Sequence, residues 1–153
     1  GLLELVPTDH HHGCPNLTKI KLTATQVTDT GMTALANACR NLTEIELLFT
    51  GIGDASVTAI GNNCRNLTKI NLRHTQVTDA GISALIPQPG QQGQPGCPNL
   101  NTIRLDETAV TNDGVYNLAV GCQNLTAIQV FNTNVTNAGK QRIREIRPNI
   151  NIV

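Results

Sequence analysis

Large aromatic side chains are almost missing from this sequence: its 153 residues include no Trp, one Tyr and two Phe. A core organised around a few bulky rings is excluded, so Leu, Ile, Val and Ala must fill the interior in many small, similar layers. Excess charge is missing too. Eleven Lys and Arg balance eleven Asp and Glu, which leaves no long-range field to collect nucleic acid or anionic membrane, and neither is expected as a partner. No apolar run approaches the roughly 18 to 20 residues that a membrane helix needs. The opening Gly1-Leu2-Leu3-Glu4-Leu5-Val6-Pro7 lacks a basic stretch and sets Glu4 among its apolar residues, which fits neither a signal peptide nor a span. Close cysteine pairs are absent as well. The five cysteines never fall two to four residues apart, so a zinc motif is not expected. An odd count at regular intervals argues against a disulfide framework and toward a reducing, cytoplasmic setting, with secretion left open.

What the sequence does contain is a period. Cys14, Cys39, Cys64, Cys97 and Cys122 are 25, 25, 33 and 25 residues apart, and internal repetition on this scale governs the fold before local propensity does. The blocks open Cys14-Pro-Asn-Leu17, Cys39-Arg-Asn-Leu42, Cys64-Arg-Asn-Leu67, Cys97-Pro-Asn-Leu100 and Cys122-Gln-Asn-Leu125, and Arg147-Pro-Asn-Ile150 begins a sixth. Each then alternates through Ile20/Leu22, Ile45/Leu47, Ile70/Leu72, Ile103/Leu105 or Ile128/Val130, the pattern of a short strand. A threonine follows (Thr25, Thr50, Thr75, Thr108, Thr133), with Val27, Ile52, Val77, Val110 or Val135 two positions later. Thr-Asp-x-Gly at 28–31 and 78–81 offers Thr or Asp as an N-cap, and Leu35, Ile60, Leu85, Leu118 and Ile143 mark the buried side of a helix. Every block therefore reads as strand, turn, helix.

A unit this small cannot bury its own apolar face, but stacked units share a continuous core. The expected fold is an α/β, right-handed solenoid in a single domain, with parallel strands on a concave face and short helices on a convex one. Its units are a partial repeat at 1–13, repeats at 14–38, 39–63, 64–96, 97–121 and 122–146, and a terminal strand at 147–153. The Cys-x-Asn-Leu blocks resemble the cysteine-containing leucine-rich repeats in the substrate-binding halves of F-box proteins. Thr75-Gln-Val-Thr-Asp-Ala-Gly81 also resembles repeats common in bacterial proteins. The resemblance covers nearly the whole chain and implies a protein-binding module, which on the F-box side would be the substrate-recognition part of a ubiquitin ligase. No F-box is present in the sequence. The opening residues align with Gly81-Ile-Ser-Ala-Leu-Ile-Pro87, so they read as the helix of an incomplete repeat, a fragment or partial cap, and end-to-end self-association is conceivable there. Ser56 stands where other repeats have Gly31, Gly81, Gly114 and Gly139, which predicts a different start to that helix and no chemistry.

Between the framework apolar residues, alternate strand positions face outward, so the concave face can be listed in columns. They are Lys19, Glu44, Lys69, Thr102, Ala127; Lys21, Glu46, Asn71, Arg104, Gln129; Thr23, Leu48, Arg73, Asp106, Phe131; and Ala24, Phe49, His74, Glu107, Asn132. With strands about 4.8 Å apart, Lys19/Glu44/Lys69, Lys21/Glu46, Arg73/Asp106 and His74/Glu107 are expected to lie side by side as opposite charges. Pairing across the sheet accounts for them. Leu48 and Phe49 are different, because one of only two Phe residues falls at a wet position beside a Leu, and exposed aromatics are typical binding anchors. Phe131 either joins them or packs under a missing or irregular cap. The candidate partner-binding residues are Leu48, Phe49, Arg73, His74, Arg104, Asp106, Glu107 and Phe131, for a protein partner with no cofactor and no metal.

Chemistry elsewhere is thin. The cysteines share one structural position and are expected to form a buried column of inert thiols. Asp9-His10-His11-His12 before Cys14 is a cluster of possible metal ligands, read as a solvated loop. His74 has Glu107 beside it but no expected Ser or Cys nucleophile, so no active site is assigned. The insertion Pro87-Gln-Pro-Gly-Gln-Gln-Gly-Gln-Pro-Gly96 either meets a partner or is tolerated slack, and slack is preferred. Lys140, Arg142, Arg144 and Arg147 either attract an acidic partner or belong to a capping helix, and the cap is preferred. Asn16, Asn41, Asn66, Asn124 and Asn134 are formal glycosylation acceptors, four of them created by the repeat template itself. If they carry glycans, the protein is an extracellular recognition molecule.

Overall fold

The computed structural model describes residues 13–153. The reading of the first residues as an incomplete repeat, the self-association tied to it, and the Asp9 to His12 cluster all lie outside those residues. Among the described residues, six strands and five helices alternate: β1 Lys19–Lys21, α1 Asp29–Ala38, β2 Glu44–Glu46, α2 Asp54–Asn63, β3 Lys69–Asn71, α3 Asp79–Ser83, β4 Thr102–Arg104, α4 Asn112–Gly121, β5 Ala127–Gln129, α5 Asn137–Ile146 and β6 Asn151–Ile152. The strands form one parallel sheet in chain order. Its register follows the repeat without slippage, with Ile20, Ile45, Ile70, Ile103, Ile128 and Ile152 opposite one another. The solenoid inferred from the sequence is the fold.

The core lies between sheet and helices. Ile45, Ile70, Ile103 and Ile128 from the strands meet Ile60, Leu118 and Ile143 from the helices with almost no exposure. Leu35, in the first repeat, is only partly buried. Helix α3 is half the length of the others because Pro87 follows closely, and proline cannot continue a helix; Leu85 stays buried in the turn after it.

The strand ends with a repeated side-chain clasp. The hydroxyls of Thr25, Thr50, Thr75, Thr108 and Thr133 each donate to the carbonyl three residues back, at 2.6 to 2.7 Å. The Asn-Leu-Thr template is structural too. Asn41 donates to Pro15 O and Asn124 to Pro98 O, while the Thr43 and Thr68 hydroxyls donate to the Thr18 and Thr43 carbonyls of the preceding repeats. Each such bond contributes on the order of 1 kcal/mol, and those of Asn41, Asn124, Thr43 and Thr68 tie one repeat to the one before it.

The helices are linked at their N-termini by an Asp/Asn ladder. Asp54 accepts from the Thr78 N–H and hydroxyl, Asp79 from those of Thr111, and Asn112 from the Thr136 N–H. A Cβ on Gly81, Gly114 or Gly139 would overlap the carboxylate or amide of Asp54, Asp79 or Asn112, which is why the template keeps glycine there. Ser56 departs from the template with a compensating change. Its helix is preceded by Gly53, which offers no side-chain cap, and the hydroxyl missing from position 53 reappears at Ser56, donating to Asp29. Burial alone would raise the Asp29 carboxyl, but hydrogen bonds from Gly53 N–H and from the Ser56 hydroxyl and N–H bring it below the usual range.

The expected column of five buried thiols needs one correction. Cys39, Cys64, Cys97 and Cys122 are buried, and Cys14, in the first of the five blocks, is exposed. Cys64 donates weakly to Cys39 O and Cys97 to Cys64 O. Burial pushes the Cys64 thiol up to about 11, Cys122 up to about 12 and Cys97 higher still, so these thiols remain protonated and unreactive.

The terminal helix spends its arginines on the fold. Arg147 donates to the carbonyls of Ala119, Gln123 and Leu125 at the C-terminal end of α4, where a cation also complements the helix dipole. Arg144 donates to Ile152 O, and the Arg142 guanidinium lies 3.8 Å from the Tyr116 ring centroid.

Candidate functional site

The strand face carries a feature with no counterpart in the hydrophobic pattern. At the end of every full strand one residue adopts a left-handed conformation: Ala24, Phe49, His74, Glu107 and Asn132, with φ of 54°, 56°, 53°, 57° and 53°. None is glycine, although left-handed backbone costs an L-residue roughly 1 to 2 kcal/mol. The turn is held because the N–H groups of Ala24, Phe49, His74 and Glu107 donate to Leu48, Arg73, Asp106 and Phe131 carbonyls in the next repeat, while the following threonine hydroxyl closes the loop. Side chains in this column therefore sit at fixed intervals along the rim of the sheet. Asn132 was the available signal, since Asn tolerates this conformation far better than Phe or Glu.

Three neighbouring members of the column interact. The Phe49 and His74 ring centroids are 4.9 Å apart with planes tilted by 46°, and Arg73 lies 5.8 Å from the Phe49 centroid. Glu107 joins both side chains, with Oε2 3.0 Å from His74 Nδ1 and Oε1 3.3 Å from Arg73 Nη2. The hydrogen bond from His74, then that from Arg73, hold the Glu107 carboxyl below its usual range. Arg73 Nε is buried without a partner, although its backbone N–H is taken by Asn71 Oδ1. Phe49 remains 46% exposed against this charged cluster, and Leu48 is half-buried beside it.

The expected Arg73/Asp106 pair does not form. Asp106 is only 8% exposed and its Oδ1 accepts from the Phe131 N–H at 2.8 Å, so its carboxylate turns along the sheet to satisfy the next repeat's backbone, and Arg73 takes Glu107 instead. Asp106 thereby holds the Phe131 backbone in place. Phe131 itself is 70% exposed among the described residues. The remaining charge pairs match their columns, with Lys19–Glu44 at 3.1 Å, Lys69–Glu44 at 3.8 Å and Lys21–Glu46 at 3.2 Å. Such exposed pairs are worth little individually.

Arg104 is exposed and stands apart from Phe49 and Phe131, on the wall of a shallow hollow of about 330 Å³. Glu44, Glu46, Lys69, Asn71 and Thr102 complete its walls over a floor of Ile45 and Ile70. The sequence columns contained these residues but gave no sign that they enclose a depression. Among the described residues, no group of three or more His, Cys, Asp or Glu converges as a metal site would require, and no helix is long and apolar enough to cross a membrane.

Comparison with known proteins agrees with the architecture. The family described as Leucine Rich repeat matches residues 13–36, 38–61 and 63–85. No curated protein matches the sequence. Among solved structures, a chain from the Rad7 and Elc1 complex in yeast superposes with a TM-score of 0.71 at 22% identity, over 93% of this chain and 34% of that one. An internalin from Listeria monocytogenes gives a TM-score of 0.49 at 15% identity, over 90% of this chain and 47% of that one. The chain thus spans about a third of the first and about half of the second.

Proposed function

We propose that this solenoid of leucine-rich repeats is a non-enzymatic protein-interaction module that takes its partner on the concave face, around Leu48, Phe49, Arg73, His74, Glu107 and Phe131, with Arg104 at a second point of contact. The observation that carries the reading is Phe49. A protein with two phenylalanines sets one of them in a strained backbone conformation and leaves nearly half of it in water. Stability alone would favour Gly or Asn at that position. An exposed aromatic flanked by a guanidinium and an imidazole is the kind of anchor that dominates interface energetics. Phe131, three repeats along the same face, is a second aromatic contact.

Affinity capture from a native extract, with the wild-type chain beside a Leu48→Ala/Phe49→Ala variant of equal melting temperature, tests this. A protein retained by the first and lost by the second is the expected result. Identical captures by both would remove the concave rim from the proposal.

A narrower reading is the substrate-recognition part of a ubiquitin ligase. It is supported by the resemblance of the Cys-x-Asn-Leu blocks to F-box protein repeats, and the superposable yeast chain is itself part of a two-protein complex. An F-box elsewhere in the full reading frame would distinguish it from a general adaptor. Four buried, unpaired thiols favour a reducing, cytoplasmic setting for either.

A further inference from the structure

Arginine occupies the turn after the helix in only two repeats, Arg40 and Arg65, where the other turns have Pro15, Pro98, Gln123 and Pro148. These two repeats are neighbours, and the second carries the insertion. The insertion is closed on itself by hydrogen bonds. Gln88 N–H donates to Pro95 O and closes the loop at its base, Gln91 and Gln94 turn back on Gln88 and Gln91, and Gly96 N–H donates to Gly61 O at the end of α2. Gln94 is held at a φ of 44°, outside the usual range for a residue with a Cβ, and from there its Oε1 accepts from Arg65 Nη2 at 3.1 Å. Arg40 is engaged by the fold only through Nε, which donates to Asn37 O.

The two turns and the insertion enclose a groove of about 600 Å³ on the lateral edge of the solenoid. Arg40 and Arg65 line it with Asn62, Asn63, Asn66 and Asn99, and Gly93 of the insertion and Pro98 complete its walls. No carboxylate lines it among the described residues, and the insertion brings four glutamines but no charge. On a protein without net charge this is a local pair of cations with none of the counter-charges that neutralise Lys19, Lys21, Lys69 and Arg73 on the sheet.

We propose that this groove is a second interaction surface, separate from the concave face, and that it takes an extended acidic segment of a protein. Alternate residues of an extended chain present side chains on one face about 6.6 Å apart, against a repeat spacing of about 4.8 Å at the strands, a difference that long arginine side chains absorb. Two carboxylates at alternate positions then meet the two guanidiniums, whose planar donors suit carboxylate, and the asparagine carboxamides meet the backbone between them. The role of the insertion is to wall the groove and to fix Arg65 in it.

Titration of the full chain with a blocked octaglutamate peptide tests the proposal, read by calorimetry and by amide shifts. Binding is expected to map to the turns at Arg40 and Arg65 and to the insertion. It should weaken at least about tenfold in an Arg40→Gln/Arg65→Gln variant of unchanged melting temperature. The Leu48→Ala/Phe49→Ala variant should bind the peptide as wild type does, which keeps this surface distinguishable from the concave one. Absence of octaglutamate binding, or equal binding by the double glutamine variant, would overturn the proposal. So would inorganic phosphate producing the same shifts at equal concentration, since that would describe a simple anion site.

Discussion

At the scale of single residues, the left-handed column separates what the fold requires from what it tolerates. The turn is closed by main-chain bonds to the next repeat and by a threonine hydroxyl, and neither depends on the side chain at position 49. Replacing Phe49 with Asn removes a strained backbone and also removes contacts with His74 and Arg73 worth about 0.5 to 1 kcal/mol each. The two effects nearly cancel. A Phe49→Asn variant is therefore expected to unfold within about 1 kcal/mol of wild type in a urea titration, in contrast to the loss of several kcal/mol usual for truncating a core aromatic. The cysteines make an equally sharp residue-scale prediction. Because Cys14 is exposed and the other four thiols are buried, a thiol reagent should label one cysteine rapidly in the native protein and all five after denaturation.

At the scale of the element, the sequence template and its one departure explain each other. Thr-Asp-x-Gly works because the Asp of one helix caps the next, and glycine leaves room for it. In the second repeat Gly53 and Ser56 exchange the hydroxyl across one helical turn. A Gly81→Ser substitution alone should destabilise the protein by about 1 to 3 kcal/mol, because its side chain overlaps Asp54 while the Thr78 cap persists. Adding Thr78→Gly copies the second repeat, so the double variant should be less damaged than the sum of its parts by roughly 1 kcal/mol. Additive losses in thermal unfolding would contradict this coupling.

At the scale of the whole molecule, the period in the sequence was enough to place strands, helices and core. One strand register predicts all the others once the repeats are aligned, and the Ile and Leu framework can face only one way. Residues whose roles depend on the adjoining repeat were not legible. Asp106 looked like a partner for Arg73 because the columns record which side chains are neighbours, not which backbone donors need satisfying. The left-handed turn leaves no hydrophobic signature, and a Gln/Gly/Pro composition hides the hydrogen bonds that close the insertion. The candidate site was therefore found as a surface, while its internal bonding came only from geometry.

The most direct test of the central claim is hydrogen exchange on the chain with its captured partner bound. Protection is expected to rise in the strand ends and turns, at 46–49, 71–74, 104–107 and 129–132, with the helices unchanged. Protection confined to the helices or to the lateral edge, with those segments exchanging as in the free protein, would contradict a concave binding face.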